Sequence, residues 1–291
     1  MNTERIDKRI DTKKMSASCV AMIGLGGGAN LARNLARCNL GSMKLADKDH
    51  VGEENICRQE YAAHQVGMPK AHALAEDLKR IHSRLQVRGI LMDVCEEPDE
   101  EIDLFFGDAD LFVAATDNHP AQARVSQIAL RRGKPAVFIG LSSGGAAGSI
   151  FFWHPGLASC YRCAMSGRYK AAERGTLKQA ESADILSSQI VDGIAGMIII
   201  GLLTRGSDTP YGRLIDQLGD RQYLQIKLDP AWTLGGRDVV RDALGVPEGN
   251  DAYVSFCTVA RRDPDPGGQC PDCRAFRRGI IGTIPAEYFS P

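Results

Sequence analysis

A glycine-rich segment and one aspartate are the first residues in the chain whose types and spacing could do chemistry. Glycines allow the backbone to approach a phosphate closely, and a helix N-terminus directs its N–H groups at the negative charge. Asp47 lies 23 residues after the first glycine and follows an apolar run, where a carboxylate can accept hydrogen bonds from ribose hydroxyls. The glycines are Gly24, Gly26, Gly27 and Gly28. The pattern predicts a nucleotide site, for a dinucleotide or for ATP, and a purely structural turn is the alternative.

Two Cys-x-x-Cys turns form a second group with chemical potential. They are Cys160 with Cys163 and Cys270 with Cys273, separated by 106 residues. Four thiolates are a ligand set that a structural Zn²⁺ takes, with no position left for water. A thioredoxin-type redox pair belongs at a helix N-terminus after a strand, and the presence of two pairs favours zinc over it. Unrelated cysteines are the third interpretation.

Alternating apolar runs and helical patterns surround these groups and must position them. Strands are predicted at 19–25, 43–46, 87–92, 111–115 and 136–141, and helices at 29–38, 69–85 and 121–131. Such alternation predicts an α/β fold with a doubly wound, mostly parallel sheet. The later part of the chain predicts a strand within 144–153, a buried helix at 194–203, late antiparallel strands at 222–228 and 253–260, and a loop at 261–268.

The charge balance and the apolar segments exclude some classes of function. The 291 residues contain 35 Lys and Arg against 36 Asp and Glu, which leaves no basic excess for nucleic-acid binding. The apolar run 194–203 is shorter than the ~20 residues that span a bilayer, and the first 18 residues lack the apolar core of a secretory signal. We therefore expect no membrane partner and a cytoplasmic location. In that reducing setting spaced cysteines indicate metal or catalysis. The remaining five are Cys19, Cys38, Cys57, Cys95 and Cys257, and we expect packing roles for all of them except Cys95, with a position near the bound phosphates as the alternative for Cys57.

Further polar residues follow the glycine segment in a fixed order. They are Asp47, Asp49 and Val51, then Asn55, Arg58 and Gln59, then Lys70, and finally Asp117 with Asn118 at a strand end. Each alone has an ordinary explanation: a lone arginine or lysine is usually a solvated charge, and Asp117 could simply cap the next helix. In this order they resemble the ThiF-type adenylyltransferases, which are the adenylation domains of ubiquitin-activating enzymes and their relatives in thiamine, molybdopterin and peptide-antibiotic synthesis. The resemblance covers about residues 18–275.

The resemblance implies a role for each matching residue. In adenylation a carboxylate attacks the α-phosphate of ATP and pyrophosphate leaves, so phosphoryl oxygens gain charge that cations and a metal must stabilise. Asp47 would bind the ribose, and Asp117 would hold Mg²⁺. Arg58 and Lys70 would stabilise the transition state, so the expected catalytic residues are Arg58, Lys70 and Asp117. Asn55 and Gln59 would contact phosphates, Asp49 would belong to the same site, and many family members carry a zinc site built from two cysteine pairs. The implied cofactors are ATP, Mg²⁺ and Zn²⁺.

Two departures from the family pattern shape the expected reaction. Members that form a thioester usually carry the reactive cysteine after the first zinc pair, whereas 164–193 contains no cysteine. We therefore expect the adenylate to pass to an external nucleophile, such as sulfide or a persulfide, an amine or a partner's cysteine, with Cys257 as the alternative. The usual N-terminal Arg-Gln pair, whose arginine reaches the other subunit, is also missing. Arg5 or Arg9 could replace it, or could belong to an exposed helix face.

Taken together, the resemblance implies a single adenylation domain over 1–291, with a nucleotide-binding half at 16–145 and a crossover, zinc and carrier- or dimer-facing half at 146–291. The expected substrate is the C-terminal carboxylate of a small ubiquitin-like or sulfur-carrier protein ending in Gly-Gly, or of a peptide. A conjugating enzyme or sulfur donor would be a further partner, and the 194–203 helix would pack at a homodimer interface. An NAD-dependent oxidoreductase and a non-catalytic scaffold are the alternatives. No role is expected for His64, His82, His119 or His154.

Overall fold

The computed structural model describes residues 1–176, 183–247, 256–262 and 267–276. Within these ranges eight strands form one sheet. The strands are β1 (Cys19–Ile23), β2 (Ser42–Asp47), β3 (Gln86–Leu91), β4 (Leu111–Ala114), β5 (Ala136–Leu141), β6 (Ala147–Trp153), β7 (Tyr223–Lys227) and β8 (Cys257–Arg261). The helices are α1 (Thr12–Ser16), α2 (Gly28–Arg37), α3 (Lys70–Ile81), α4 (Asp99–Phe106), α5 (His119–Arg132), α6 (Tyr161–Ala164), α7 (Ser166–Glu173), α8 (Ile185–Leu203), α9 (Leu214–Leu218), α10 (Val239–Leu244) and α11 (Pro271–Phe276).

The strand order creates a crevice beside β1. The sheet runs β3-β2-β1-β4-β5-β6-β7-β8, with the first five strands parallel and the last three antiparallel. From β1 the chain moves outward to β2 and β3, and then returns to the other side of β1 with β4. Ligands of open α/β sheets bind at such a reversal, at the carboxyl ends of the strands. The predicted mostly parallel sheet with late antiparallel strands is confirmed.

The central strands are buried because their residues are apolar on both faces. Every residue of β1 and of β4 is buried, as expected for a parallel sheet covered by helices on both sides. Pairing places Ile23 beside Ala46 on one side and beside Ala114 on the other. The carboxyl ends of these three strands therefore meet at one edge of the sheet. Gly24, which follows β1, and Asp47, which ends β2, lie there.

The helix predicted at 194–203 is longer than the sequence indicated. It spans Ile185–Leu203, and the Asp184 side chain caps its start by accepting hydrogen bonds from the N–H groups of Leu186 and Ser187. Its 19 residues are long and apolar enough to cross a membrane by length and composition alone, but one face packs against α2 and the sheet, so that 56% of its most apolar window is buried. The prediction relied on an apolar run and therefore missed the first two turns of the helix, which contain several polar residues. The predicted strand at 253–260 begins at Cys257, since 253–255 lie outside the described residues, as do 263–266 of the predicted loop.

A carboxyl group is buried where α8 packs on α2. Asp192 is only 3% exposed, and its burial raises the pKa of that carboxyl to about 8, against the opposing hydrogen bonds from the Asn30 side chain and the Leu31 N–H. Its Oδ2 has no hydrogen-bond partner among the described residues. The folded protein therefore keeps this carboxyl protonated at neutral pH.

We expect an Asp192→Asn variant to gain stability relative to the wild type as the pH rises. Between about pH 4 and pH 8 the folded state binds one proton more than the unfolded state, so Asp192 lowers the free energy of unfolding by about 1.4 kcal/mol per pH unit. Asparagine does not titrate and removes this loss. Urea unfolding at pH 5, 6.5 and 8 measures the difference, with Asp208→Asn, at a fully exposed carboxylate, as the control. A stability difference that does not change with pH would show that Asp192 is ionised in the fold.

Candidate active site

The loop between β1 and α2 packs closely against the end of β4. Gly24 has a φ of +85°, and a Cβ on it would lie 2.8 Å from the carbonyl carbon of Ala115 and from the Cβ of Thr116. A Cβ on Gly28 would lie 2.7 Å from the Cβ of Ala115. Side chains at either position would force the loop away from β4, because such distances are too short for real contacts. These two glycines therefore bring the start of α2 against the strand end that leads to Asp117.

The N-terminus of α2 is available to an anion. Gly27 is the N-cap and supplies no side-chain hydrogen bond, and a Cβ on it would meet only the Ser188 Oγ, at 3.9 Å. The first N–H groups of a helix have no partner within the helix, and the helix dipole favours negative charge beside them. The open start of this ten-residue helix has the properties of a phosphate-binding loop.

Asp47 anchors the glycine loop from the end of β2. Its Oδ2 accepts a hydrogen bond from the Leu25 N–H at 2.6 Å, and its Oδ1 accepts one from the Asp49 N–H at 2.9 Å. Burial raises the pKa of this carboxyl, although the same two N–H groups and the charge of Lys70 act in the opposite direction. Each carboxylate oxygen has a second lone pair, so Asp47 can hold the loop and still accept a hydrogen bond from a ligand hydroxyl.

Lys70 and Asp49 form an ion pair at the start of α3. The Lys70 Nζ lies 3.3 Å from the Asp49 Oδ2, and the lysine side chain is 7% exposed while the aspartate is 57% exposed. The Lys70 N–H also donates to the Asp49 carbonyl at 3.0 Å. Because its carboxylate partner faces solvent, the pair gains little net energy. The buried ammonium group can therefore exchange its partner for another anion at small cost.

The turn between Asn55 and Gln59 brings one further polar side chain, that of Gln59, to the glycine loop, while the Asn55 side chain holds the turn itself. The Asn55 carbonyl accepts from the N–H groups of Arg58 and Gln59, and the Asn55 Oδ1 accepts from the Gly52 N–H. A Cβ on Gly26 would lie 2.9 Å from the Gln59 Nε2, so Gln59 lies against the glycine loop. Its Oε1 is buried with no hydrogen-bond partner in the described chain, which leaves an acceptor for a donor such as a ribose hydroxyl.

Asp47, Arg58 and Asp117 are the charged groups of this set that form no ion pair with any residue the structure describes, and of these only Arg58 and Asp117 also lack a side-chain hydrogen bond within those residues. Arg58 is half-buried and Asp117 is exposed, directly after β4. Asp117 does not cap α5, since Asn118 is the N-cap and its Oδ1 accepts from the Ala121 N–H at 3.1 Å. The helix-cap explanation of Asp117 is therefore wrong. Its carboxylate is free to act as a ligand for a hard cation such as Mg²⁺.

The structure adds residues to this region that the sequence analysis did not identify. The Tyr61 hydroxyl donates to the Leu25 carbonyl at 2.8 Å, which ties the turn after Gln59 to the glycine loop. Gln189 of α8 donates to Glu60 at 2.6 Å, so the first half of α8 borders the crevice. A tyrosine hydroxyl that bonds a backbone carbonyl leaves no periodicity in a sequence, and the α8 contact depends on a helix start that the apolar run did not mark.

The two cysteine pairs converge into one cluster. Their four Sγ atoms lie within 4.8 Å of one another, with separations of 3.8 Å for Cys160 to Cys163, 3.4 Å for Cys160 to Cys270 and 3.9 Å for Cys163 to Cys273. A tetrahedron with Zn–S bonds of about 2.3 Å has edges of about 3.8 Å. The donor set and its spacing therefore fit a structural zinc ion better than two separate redox pairs.

The candidate trans arginines lie in a region of turns before α1. The expected helical spacing of Arg5 and Arg9 is not seen as an α-helix, since the first α-helix begins at Thr12. The Arg9 guanidinium lies 5.4 Å from the ring centre of Tyr211 in the same chain, and the Tyr211 N–H donates to the Arg9 carbonyl. Arg5 and Arg9 are both exposed, and the Arg5 side chain makes no hydrogen bond or ion pair within the described residues.

Comparison with known proteins adds an independent finding. The family model described as "ThiF family" matches residues 2–228. The chain is 34% identical over 157 residues to the sulfur carrier protein ThiS adenylyltransferase of Bacillus subtilis (strain 168), which covers 53% of this chain and 45% of that protein. It is 27% identical over 164 residues to ubiquitin-like modifier-activating enzyme 5 of Mus musculus, which covers 53% and 41%. The chain thus spans less than half the length of these curated relatives.

Solved structures share the fold at low identity. A structure of E. coli MccB with ATP has a TM-score of 0.62 and 17% identity, covering 90% of this chain and 68% of that chain. A structure of PaaA has a TM-score of 0.61 and 18% identity, covering 78% and 81%. These likenesses extend over most of the described sheet and indicate the same architecture.

Proposed function

Because the chain belongs to the ThiF family, we propose that it is an ATP-dependent adenylyltransferase that activates the C-terminal carboxylate of a ubiquitin-like or sulfur-carrier protein, or of a peptide. The observation that carries the proposal is the open N-terminus of α2, which packs against the strand end leading to Asp117 and against Gln59 of the turn that contains Arg58, with the buried Lys70 at the start of α3. Relatives named for ThiS and for ubiquitin-like modifiers, and a fold shared with MccB, support the substrate class.

The proposed reaction joins the substrate carboxylate to the α-phosphorus of ATP. A carboxylate oxygen forms the new P–O bond, the bond from that phosphorus to the bridging oxygen breaks, and pyrophosphate leaves with the electron pair. Arg58 and Lys70 stabilise the charge on the phosphoryl oxygens, and the N–H groups at the start of α2 hold the phosphates in place. Asp47 orients the ribose through its hydroxyls, and the unpaired Gln59 Oε1, which can accept from a hydroxyl but not from a phosphate, favours the ribose over the phosphate contact that the resemblance implied. Asp117 would hold Mg²⁺, which supplies charge neutralisation for the leaving pyrophosphate.

The acyl-adenylate is proposed to pass to an external nucleophile. The segment 164–193 contains no cysteine. Cys257 begins β8, four strand spacings from β4, which corresponds to about 19 Å across the sheet. At that distance its thiol cannot attack an adenylate held beside Asp117. Sulfide, an amine or a partner's cysteine is the acceptor instead.

ATP–pyrophosphate exchange tests the proposed activity. The protein is incubated with ATP, Mg²⁺, labelled pyrophosphate and a panel of purified Gly-Gly-ended carriers and short peptides. We expect label to enter ATP only with a carboxylate substrate, and not with the same carrier lacking its last glycine. Calorimetry with ATP and with NADH separates the alternatives: NADH binding without ATP binding would establish an oxidoreductase, and binding of neither would establish a scaffold.

We further propose that α8 forms a homodimer interface. In this helix Leu186, Ile190 and Met197 are 66%, 40% and 45% exposed and lie along one stripe. A surface helix normally turns its polar residues to water, so an uncovered apolar stripe indicates a partner.

The oligomeric state tests this interface. We expect Ile190→Asp to shift the protein from dimer to monomer in sedimentation analysis, because dimerisation would bury the new carboxylate without a group to neutralise or hydrogen-bond it. Leu104→Asp on α4, at a side chain that is 78% exposed, is the matched control and should remain dimeric. A wild-type monomer at micromolar concentration would refute the proposed dimer.

A further inference from the structure

One buried glutamine connects the zinc cluster to the turn that carries Asp117. Gln122 lies in the first turns of α5 and is 2% exposed. Its Oε1 accepts hydrogen bonds from the Tyr161 hydroxyl at 2.6 Å and from the Arg168 guanidinium at 2.9 Å. Its Nε2 donates to the Thr116 carbonyl at 2.7 Å and to the Ile139 carbonyl at 3.2 Å. The amide thus uses both donors and both lone pairs, and donors on one side and carbonyls on the other fix its orientation.

The zinc side of this connection is rigid. Tyr161 lies between Cys160 and Cys163, and its ring stacks on Phe138 at 4.1 Å between ring centres. Arg162 pairs with Asp272 at 3.0 Å and so joins the first cysteine turn to the second. When the four cysteines hold a metal, the position of the Tyr161 hydroxyl follows from the position of its two flanking ligands.

The other side of the connection is the Asp117 turn. Thr116 immediately precedes Asp117, and its Oγ1 accepts from the Asn118 N–H at 3.1 Å. His119 follows, buried, with its ring edge-on to Tyr169 of α7 at 4.6 Å. Gln122 therefore holds the turn at Thr116 by a hydrogen bond, and Tyr169 holds it at His119 by ring packing. Gln122 bonds to the segment that contains α6 and α7, and Tyr169 belongs to it. Asp117 itself makes no such contact within the described residues.

We propose that Gln122 is a positioning residue that couples occupancy of the four-cysteine site to the Mg²⁺ affinity of the Asp117 site. The inference rests on the proposed adenylyltransferase function, since it concerns the metal used with ATP. Through Tyr161, Gln122 and the Thr116 carbonyl, an ordered cysteine cluster holds the backbone before Asp117 in one position. Residues that orient a metal ligand through hydrogen bonds commonly change metal affinity about 10- to 100-fold when substituted.

The test compares Gln122→Met, which keeps the side-chain volume but removes all four hydrogen bonds, with Tyr161→Phe, which removes only the hydroxyl. Gln225→Met is the matched control, because Gln225 of β7 is a buried glutamine whose Nε2 donates to the Gly148 carbonyl of β6. The first readout is the Mg²⁺ concentration that gives half-maximal exchange, beside the KM for ATP. The second is the zinc affinity, measured at equilibrium by competition with a chromophoric chelator, with and without Mg²⁺ and ATP, which needs no turnover.

We expect Gln122→Met to raise the half-saturating Mg²⁺ about 10- to 100-fold with the KM for ATP little changed, and Tyr161→Phe to cause a smaller rise. Because coupling between two binding sites is reciprocal, Mg²⁺ with ATP should tighten zinc binding by the wild type about 5-fold or more, and should not tighten it in Gln122→Met. A Gln122→Met protein with lower kcat or melting temperature but unchanged Mg²⁺ dependence and unchanged zinc affinity would overturn the coupling. A wild type that binds no ATP overturns the proposed function, and this inference with it.

Discussion

The Asp117→Asn variant is expected to lose about 10²- to 10³-fold in the rate of ATP–pyrophosphate exchange, with no change in melting temperature. The fall has the size seen when one group that stabilises transition-state charge is removed. The stability should not change, because Asp117 is exposed, follows β4 rather than capping α5, and has no hydrogen bond or ion pair within the described ranges. Exchange kinetics at several Mg²⁺ concentrations and a thermal melt measure both quantities.

Glu76→Gln is the control for loss of one negative charge. Glu76 lies on the exposed side of α3 and makes only a 3.7 Å surface pair with Arg80, so its substitution should leave exchange unchanged. Exchange within about threefold of wild type in Asp117→Asn would remove Asp117 from the site. The remaining cations would then act without a carboxylate-held metal, and the assignment of this crevice to adenylation would need a different ligand for Mg²⁺.

Lys70 completes the electrostatic argument for the crevice. Its ammonium is buried while its partner Asp49 is mostly in solvent, so the site holds a positive charge that is only partly compensated. Arg58 adds a second, unpaired charge from the neighbouring turn. A triphosphate would neutralise both, and this explains why a chain with a net charge of -1 needs no broad basic surface to bind a highly charged ligand.

The sequence predicted the sheet well because each early strand is a short apolar run between turn residues. The range 136–141 coincides with β5, and 111–115 exceeds β4 by one residue. Helix ends were less predictable. The α8 start depends on the Asp184 cap, which a run of Ser and Gln hid, and α4 was missed because three acidic residues open it. Both helices are stabilised by packing on neighbouring elements, which periodicity over a few residues does not register.

The site residues could be found by motif, but their arrangement could not. The order of Asp47, Arg58, Lys70 and Asp117 along the chain predicts one ligand, yet only the strand order shows that Asp47, at the end of β2, and the segment leading from β4 to Asp117 lie on either side of β1. Gln122 illustrates the limit. It is a polar residue on an amphipathic helix, and its four hydrogen bonds join segments that are far apart in sequence. Long-range polar contacts of this kind leave no spacing pattern.

Replacing one zinc ligand should have the largest effect on stability of any single change discussed. We expect Cys273→Ser to abolish binding of one zinc per chain and to lower the melting temperature by about 10 °C or more. Structural zinc sites contribute roughly 10 kcal/mol or more of binding energy in small domains, and a loss of a few kcal/mol shifts the melting temperature of a chain this long by about that amount. Metal analysis and calorimetry with and without a chelator provide the measurements.

Cys257→Ser is the matched control, because Cys257 is a partly buried cysteine of β8 outside the cluster. This variant should keep one zinc per chain and nearly the wild-type melting temperature.

The alternative interpretation, a redox pair, makes a different prediction, and counting the reactive thiols distinguishes the two. If zinc occupies the cluster, all nine cysteines react with a thiol reagent once the denatured protein is treated with a chelator. If the turns form disulfides, two or four fewer thiols react until a reductant is added. A wild type with fewer than nine reactive thiols and no metal would therefore replace the zinc site by a redox site, and would also remove the rigid support that the coupling through Gln122 requires.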